Sequence, residues 1–283
     1  MYLFLLMISW LVSRCSDRCL DVFSHRLAYL LVSVFRFRRR LMIENAKKIF
    51  GTESKSEHEL EQVAIQSVQS LILTALETLE SRYVAIDRFC ELRNAAAVEN
   101  ALKKAKGVFM LSTHTGNWEA LAASVCNNLC QAYVPVKKVG GRQTHRYVTE
   151  LRHKYGLYTA ERKQKGDSFK IIKDMIESGK VVGFMQDQAR PGSPRMPFFG
   201  HLAKTNTSMA EIYRRFEAPM FAISARRISP RHHVVEFSDE LKLRQTEDQQ
   251  SDIAYNIAVM NQMTERLIAA NPSQSLLMHD RWK

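Results

Sequence analysis

At 283 residues, 46% hydrophobic and 25% charged, the chain is long enough to bury a substantial core and too apolar to be disordered. Its formal net charge of +12 suits an anionic partner, which can be nucleic acid, an acidic protein or anionic lipid. The five cysteines, Cys15, Cys19, Cys90, Cys126 and Cys130, are odd in number and lack a CxxC pair or a matching histidine pattern. They support neither a disulfide framework nor a zinc site and read as reduced, cytosol-facing thiols.

Residues 1–12 are almost wholly apolar, include Trp10 and are followed by Arg14 and Arg18. A helix needs about 20 apolar residues to cross a bilayer, so this stretch is short. No basic segment precedes it and no small-residue cleavage pattern follows, unlike a cleaved signal peptide. A second apolar stretch, residues 27–37, runs into the basic cluster Arg36, Arg38, Arg39 and Arg40. Together they predict a membrane-associating helical segment over residues 1–40, with arginines at an anionic cytoplasmic surface. The alternative is a buried helical hairpin with a solvated basic end. Residues 41–283 are expected to form the second domain.

Ser56 and Glu59 have the spacing of a capping box. After them Leu60, Val63, Ala64, Ser67, Val68, Leu71, Ile72, Ala75, Leu76 and Leu79 recur at three and four, one apolar helix face. A further helix is expected over 95–104. Strands are then predicted at 108–112, 132–136, 181–186, 220–225 and 233–237, and helices at 117–129, 144–155, 168–177, 207–216 and 252–270. Such alternation predicts an α/β fold, a central mixed sheet flanked by helices, with active groups at the carboxyl ends of the strands.

The stretch STHTGNWE, residues 112–119, stands at one such strand-to-helix switch. Asn117 is a candidate helix cap, which places His114 on the turn and Glu119 in the first helical turn. Glu119 can then hold one ring nitrogen of His114 while the other acts as a general base. The same spacing also fits a surface histidine beside a glutamate that only complements the helix dipole. Between residues 137 and 170 there are ten Lys or Arg against three Asp or Glu, among them Lys137, Arg152 and Arg162. A run of this kind is either a solvated face or a grip for phosphates or an acidic carrier. Asp187 directly follows a strand in VVGFMQDQ and fits a site mouth or a loop cap.

Taken together and in order, the histidine motif, VVGFMQDQ, PFFG at 197–200, AKTNTS at 203–208, Ala218-Pro219 and the closing HDRWK resemble the late acyltransferases of lipid A biosynthesis, within the lysophospholipid acyltransferase superfamily. The resemblance covers about residues 39–283. It implies an enzyme on the cytoplasmic face of the bacterial inner membrane that moves a fatty acyl chain from an acyl carrier protein thioester to a hydroxyl of an anionic lipid A precursor, with no metal and no bound cofactor. By position it implies His114 as base and Glu119 as its orienting partner. It also implies substrate contacts from Arg152, Asp187, His279 and Arg281, with Lys137 and Arg162 added from the basic stretch. Ser208 stands where relatives usually carry glycine, and the FPEGTR-like phosphate motif of glycerophosphate acyltransferases is missing. Other readings are an acyltransferase for another glycolipid or lysophospholipid, or a non-catalytic basic protein on the membrane surface. The chain lacks the aromatic-interleaved basic motifs of RNA binders, and no nucleic acid partner is expected.

Overall fold

Ser16 interrupts the apolar N-terminal stretch: its hydroxyl accepts from the Cys19 amide at 3.2 Å and starts a new helix. In the computed structural model, which describes residues 2–51, 55–104, 107–136, 140–161 and 167–283, the chain therefore opens with two short helices, α1 (Tyr2–Val12) and α2 (Asp17–Tyr29). A π-helical turn at Leu30–Val34 follows, then α3 (Arg39–Phe50) and the 24-residue α4 (Glu57–Glu80). The capping box is present: Ser56 Oγ accepts from the Glu59 amide and Glu59 Oε2 accepts from the Ser56 amide. Among the described residues no helix is long and apolar enough to cross a membrane.

The rest alternates as β1 (Cys90–Arg93), α5 (Ala96–Lys103), β2 (Val108–Ser112), α6 (Trp118–Asn128), β3 (Ala132–Val136), α7 (Arg142–Lys154), β4 (Leu157–Glu161), α8 (Asp167–Glu177) and β5 (Val181–Met185). The chain continues with the hairpin β6 (Arg195–Phe198) and β7 (His201–Lys204), then α9 (Ser208–Phe216), β8 (Met220–Ser229), β9 (His232–Glu240) and α10 (Gln249–Ala270). Seven strands form one sheet in the order β1-β9-β8-β2-β5-β3-β4. Every neighbouring pair is parallel except β8 with β9, so the sheet is mixed but mostly parallel. Helices cover both faces, as parallel strands require.

β2 is central, and all five of its residues are buried. Its side chains alternate: Val108 and Met110 join Val98, Leu121, Val125 and Ile223 on one face. Phe109 and Leu111 join Ile172, Val182, Met209, Met220 and Met260 on the other. Ser112 pairs with Met185, so β2 and β5 end level. Residues two beyond each end, His114 and Asp187, thus leave neighbouring strands at the same height and with the same side-chain parity.

α4 lies between two layers, and this changes its buried face. In its first half Leu60, Ala64, Ile65 and Val68 pack with α2 and α3. In its second half Leu73, Thr74, Glu77 and Thr78 are buried, whereas Ala75 is exposed and Leu71, Ile72, Leu76 and Leu79 are half-buried. The expected single apolar stripe holds only for the first turns, because later turns direct hydroxyls and a carboxylate at the strand-end loops. The tight turn between β8 and β9 carries Arg231 at φ 65°. Its guanidinium donates to Glu80 Oε2 at 2.7 Å, to Asp17, and to the carbonyls of Val12 and Cys15 at 3.1 and 3.0 Å. The β8–β9 turn thereby grips the junction of α1 and α2.

Several boundaries differ from expectation. β8 and β9 are longer than the predicted 220–225 and 233–237, because their antiparallel pairing extends past the sheet body to that turn. β1 and β4 were not predicted, since each is a short edge strand with little apolar alternation. All five cysteines are free thiols.

Candidate active site

Gly116 makes the turn between β2 and α6 possible. It has φ +62°, and a Cβ there would lie 2.1 Å from the Ala225 carbonyl oxygen, so only glycine fits. Its amide donates to the Gln274 carbonyl at 3.0 Å, and its carbonyl accepts from Thr74 Oγ1 at 3.1 Å. Asn117 caps α6 by accepting from the amides of Glu119 and Ala120, each at 2.9 Å. The Asn117 side-chain amide in turn donates to Glu77 Oε2 at 2.5 Å.

This turn delivers His114 to Asp187. Nδ1 of His114 lies 2.8 Å from Asp187 Oδ1, and the His114 backbone amide donates to Asp187 Oδ2 at 3.1 Å. Both carboxylate oxygens therefore fix one histidine, backbone and ring together. With Nδ1 so engaged, Nε2 is the nitrogen left for a substrate. The histidine side chain keeps 20% of its surface exposed while Asp187 keeps 7%, so the imidazole is reachable and its partner is not. Trp118 stands edge-on to the imidazole, ring centroids 5.1 Å apart. Burial on its own lowers the His114 pKa, but the charge and hydrogen bond of Asp187, helped by Glu119, more than offset it and raise the value above the ordinary 6.5. Asp187 is opposed by burial too, yet the His114 charge and hydrogen bonds hold its carboxyl below the usual range.

The expected hydrogen bond from the His114 ring to Glu119 is not formed. Glu119, in the first turn of α6, faces α7 and accepts from Arg152 Nε at 3.0 Å and Nη2 at 2.5 Å, and from Tyr155 Oη at 3.1 Å. These donors hold that carboxylate, and the in-register ends of β2 and β5 bring Asp187 to the ring instead. Burial pushes the Glu119 pKa up, but Arg152 and Tyr155 bring it below its ordinary value. Its negative charge reaches His114 through space.

Arg152, expected to touch substrate, is itself buried at 8% exposure and turned inward to Glu119. Arg281 is also internal: it donates to the Lys204 carbonyl and to Thr205 Oγ1, lies over Phe198, and burial lowers its pKa to about 10. His279 comes close to the pair, with Nε2 accepting from the Ala189 amide at 2.9 Å. Lys137 and Arg162 lie outside the described residues. Ser208, at the start of α9, gives its hydroxyl to Arg190, whose Nη1 donates to it at 3.0 Å and to Asn206 Oδ1 at 3.1 Å. A glycine there would offer no such acceptor.

Behind the turn lies a cluster not anticipated from sequence. Glu77, 2% exposed, accepts from Asn117, from Arg227 Nη1, from the Arg231 amide at 2.8 Å, and meets His233 Nε2 at 3.2 Å. Burial opposes its ionisation, but Arg227 and His233 pull its pKa down to about 2. The available signal was a glutamate at an inward position of α4, with Arg227 and His233 on two adjoining strands.

The family described as "Bacterial lipid A biosynthesis acyltransferase" matches this sequence over residues 1–283, the whole chain. The protein belongs to that family. It is accordingly an acyltransferase of lipid A biosynthesis, and the family match takes in the N-terminal helices as well as the sheet domain. A comparison with curated proteins returned no match.

Proposed function

We propose that this lipid A acyltransferase moves a fatty acyl chain from an acyl carrier protein thioester directly to a hydroxyl of a lipid A precursor, with His114 as general base and Asp187 as the group that orients it. The observation carrying this reading is the two-point hold of Asp187 on His114. It fixes the Nδ1–H tautomer and leaves Nε2 to take a proton. The acceptor oxygen forms its bond to the thioester carbonyl carbon as its proton passes to Nε2. The C–S bond then breaks, and the departing thiolate takes that proton back from the imidazolium. The Gly116 amide is engaged by Gln274 and is no oxyanion donor. Asn117 caps Glu119 and Ala120 but not Trp118, whose amide at the helix start suits that role. Direct transfer is supported by the state of the thiols: burial pushes Cys90 to about 11 and Cys126 to about 12, far from a thiolate nucleophile.

The proposed reaction takes place on the cytoplasmic face of the inner membrane. Twelve of the seventeen large apolar side chains exposed among the described residues fall within residues 3–37, led by Leu3 at 81% and Phe35 at 72%. Such a concentration suits burial in lipid, and Arg14, Arg18, Arg26, Arg36 and Arg40 border it with charge for anionic headgroups. The exposed apolar side chains of these short helices suit an orientation in the plane of the interface.

Incubating the purified protein with acyl carrier protein thioester and a lipid A precursor should add the mass of one acyl chain to the acceptor, and His114→Ala should add none. A stable acyl-enzyme formed with donor alone would refute direct transfer. Acylation of a lysophospholipid but not of the lipid A precursor would refute the acceptor. Failure to float with vesicles containing anionic lipid would refute the membrane placement.

A further inference from the structure

We infer that His279 is a positioning residue for the His114–Asp187 pair, presented as a neutral hydrogen-bond acceptor by the C-terminal tail. The inference rests on the reading of His114 as the base.

Asp187 begins the turn out of β5, and its carboxylate can hold His114 only if the following backbone is fixed. Two residues on, the Ala189 amide donates to an imidazole nitrogen rather than to a carbonyl, 2.9 Å from Nε2 of His279. An N–H can point at Nε2 only when that nitrogen is unprotonated, which places the ring proton on Nδ1 and leaves the ring without charge. A carboxylate in this place would compete with Asp187 for the His114 proton, and an ammonium or guanidinium could not accept. A neutral imidazole is an acceptor that leaves the electrostatics of the pair alone. Burial also favours the uncharged form, as do Arg281 and His114 nearby, against Asp187 and Asp280.

The tail is anchored by the buried Asn45, Ser67 and Arg281 and by the exposed Arg38. Asn45, 3% exposed within an apolar cluster, donates to the carbonyls of Leu277 and His279, both at 2.8 Å. Arg38 donates to the Met278 carbonyl at 2.6 Å, and Ser67 bonds both the Ser275 carbonyl and the Leu277 amide. Beyond the histidine, Arg281 fastens the chain to β7 and Thr205. Burying an amide and a guanidinium is costly without such partners, so the tail has one seat, and His279 is delivered to one place.

The test compares His279→Gln, whose Oε1 lies near the position of Nε2, with His279→Leu and His279→Asn, which cannot accept from Ala189. Steady-state acyl transfer is measured across pH, with thermal melts in parallel. The groups facing His114 are Asp187 and Glu119, which favour its charged form, and Arg152 and His279. In the Leu and Asn variants kcat should fall about 10- to 100-fold with KM within about twofold, as expected of misplacement by an ångström or less. The acid limb of kcat/KM should also move to lower pH, because a displaced Asp187 no longer supports imidazolium. The Gln variant should restore both. Wild-type kcat and acid limb in the Leu or Asn variant overturn the inference. So does equal loss of activity and melting temperature in all three, which makes the tail merely structural; if Leu does not fold, Asn against Gln decides. His114→Ala run alongside separates the two readings: activity there sinks the base assignment itself, whereas wild-type behaviour of the His279 variants alone sinks only the role of the tail.

Discussion

Exchanging Asp187 for asparagine and, separately, Glu119 for glutamine discriminates between the two carboxylates near His114. Asp187 accepts from two donors on one residue, the His114 amide and Nδ1–H. Asparagine has a single acceptor oxygen; if that oxygen stays with the backbone amide, its NH2 group faces Nδ1 and forces the proton to Nε2. A base already protonated on its reacting nitrogen cannot work. The comparable exchange in a serine-protease triad costs about 10⁴ in kcat, so Asp187→Asn should lose roughly 10³- to 10⁴-fold, about 4–5.5 kcal/mol of transition-state stabilisation. Little stability should go with it, since the replacement keeps shape and one hydrogen bond. Glu119→Gln should behave in the opposite manner. It leaves the Arg152 guanidinium buried opposite a neutral amide, and breaking such a buried pair costs about 3–5 kcal/mol. At this chain length that is on the order of 10 °C in melting temperature, with activity falling less than in Asp187→Asn. Acyl transfer assayed by mass spectrometry and melting followed by fluorescence give both numbers. The reasoning fails if Glu119→Gln abolishes turnover at unchanged melting temperature while Asp187→Asn stays active.

Gly116→Ala should destabilise the fold and remove activity together, since its Cβ would collide with the Ala225 carbonyl at a positive φ; a normally stable, active variant would contradict the turn geometry. Glu77→Ala should lower unfolding free energy by about 3–5 kcal/mol in denaturant titrations, because Arg227 loses its buried counterion and His233 its hydrogen-bond acceptor. Lowering pH should act at the same place. The Glu77 pKa is depressed from 4.5 to about 2, so its stabilisation, worth roughly 3 kcal/mol, is complete above pH 4.5 and is lost as pH falls towards 2. His114 has the other sign. Its raised pKa favours the protonated fold, so its contribution to stability is full below pH 6.5 and fades as pH rises through the folded value, whereas the proposed proton transfer needs the deprotonated ring. The acid limb of kcat/KM should therefore lie above pH 6.5, and an acid limb below that value would contradict the charge arrangement around the ring.

Much of the fold was legible because β2 and β5 are short apolar runs bounded by turn residues, and α4 carries an unmistakable capping box. The place of His114 was legible too, since an apolar strand run before it and a capping asparagine after it mark a strand-to-helix turn. Its partner was not. Five residues of sequence separation made Glu119 the obvious candidate, whereas the true neighbour lies 73 residues away and is brought in by strand register. The same limit explains Arg152 and Arg281: sequence shows a charge but not the direction of the side chain, and both point inward to partners on other elements. The inward polar face of α4 was hidden because periodicity counts apolar residues, and serine, threonine and glutamate facing a loop look like solvent exposure.

The turn that holds Arg231 bears on any attempt to make this enzyme more soluble by shortening its beginning. Deleting α1 and α2 takes away Asp17 and two carbonyls at once, leaving a guanidinium that is 7% exposed with Glu80 as its main remaining partner. A greasy surface can be trimmed by exchanging Leu3, Phe4 or Phe35 for polar residues, one at a time, and the protein should remain whole. Cutting the helices away should instead loosen the far end of β8 and β9, and with it the strand that carries Arg227 to Glu77 behind the histidine turn.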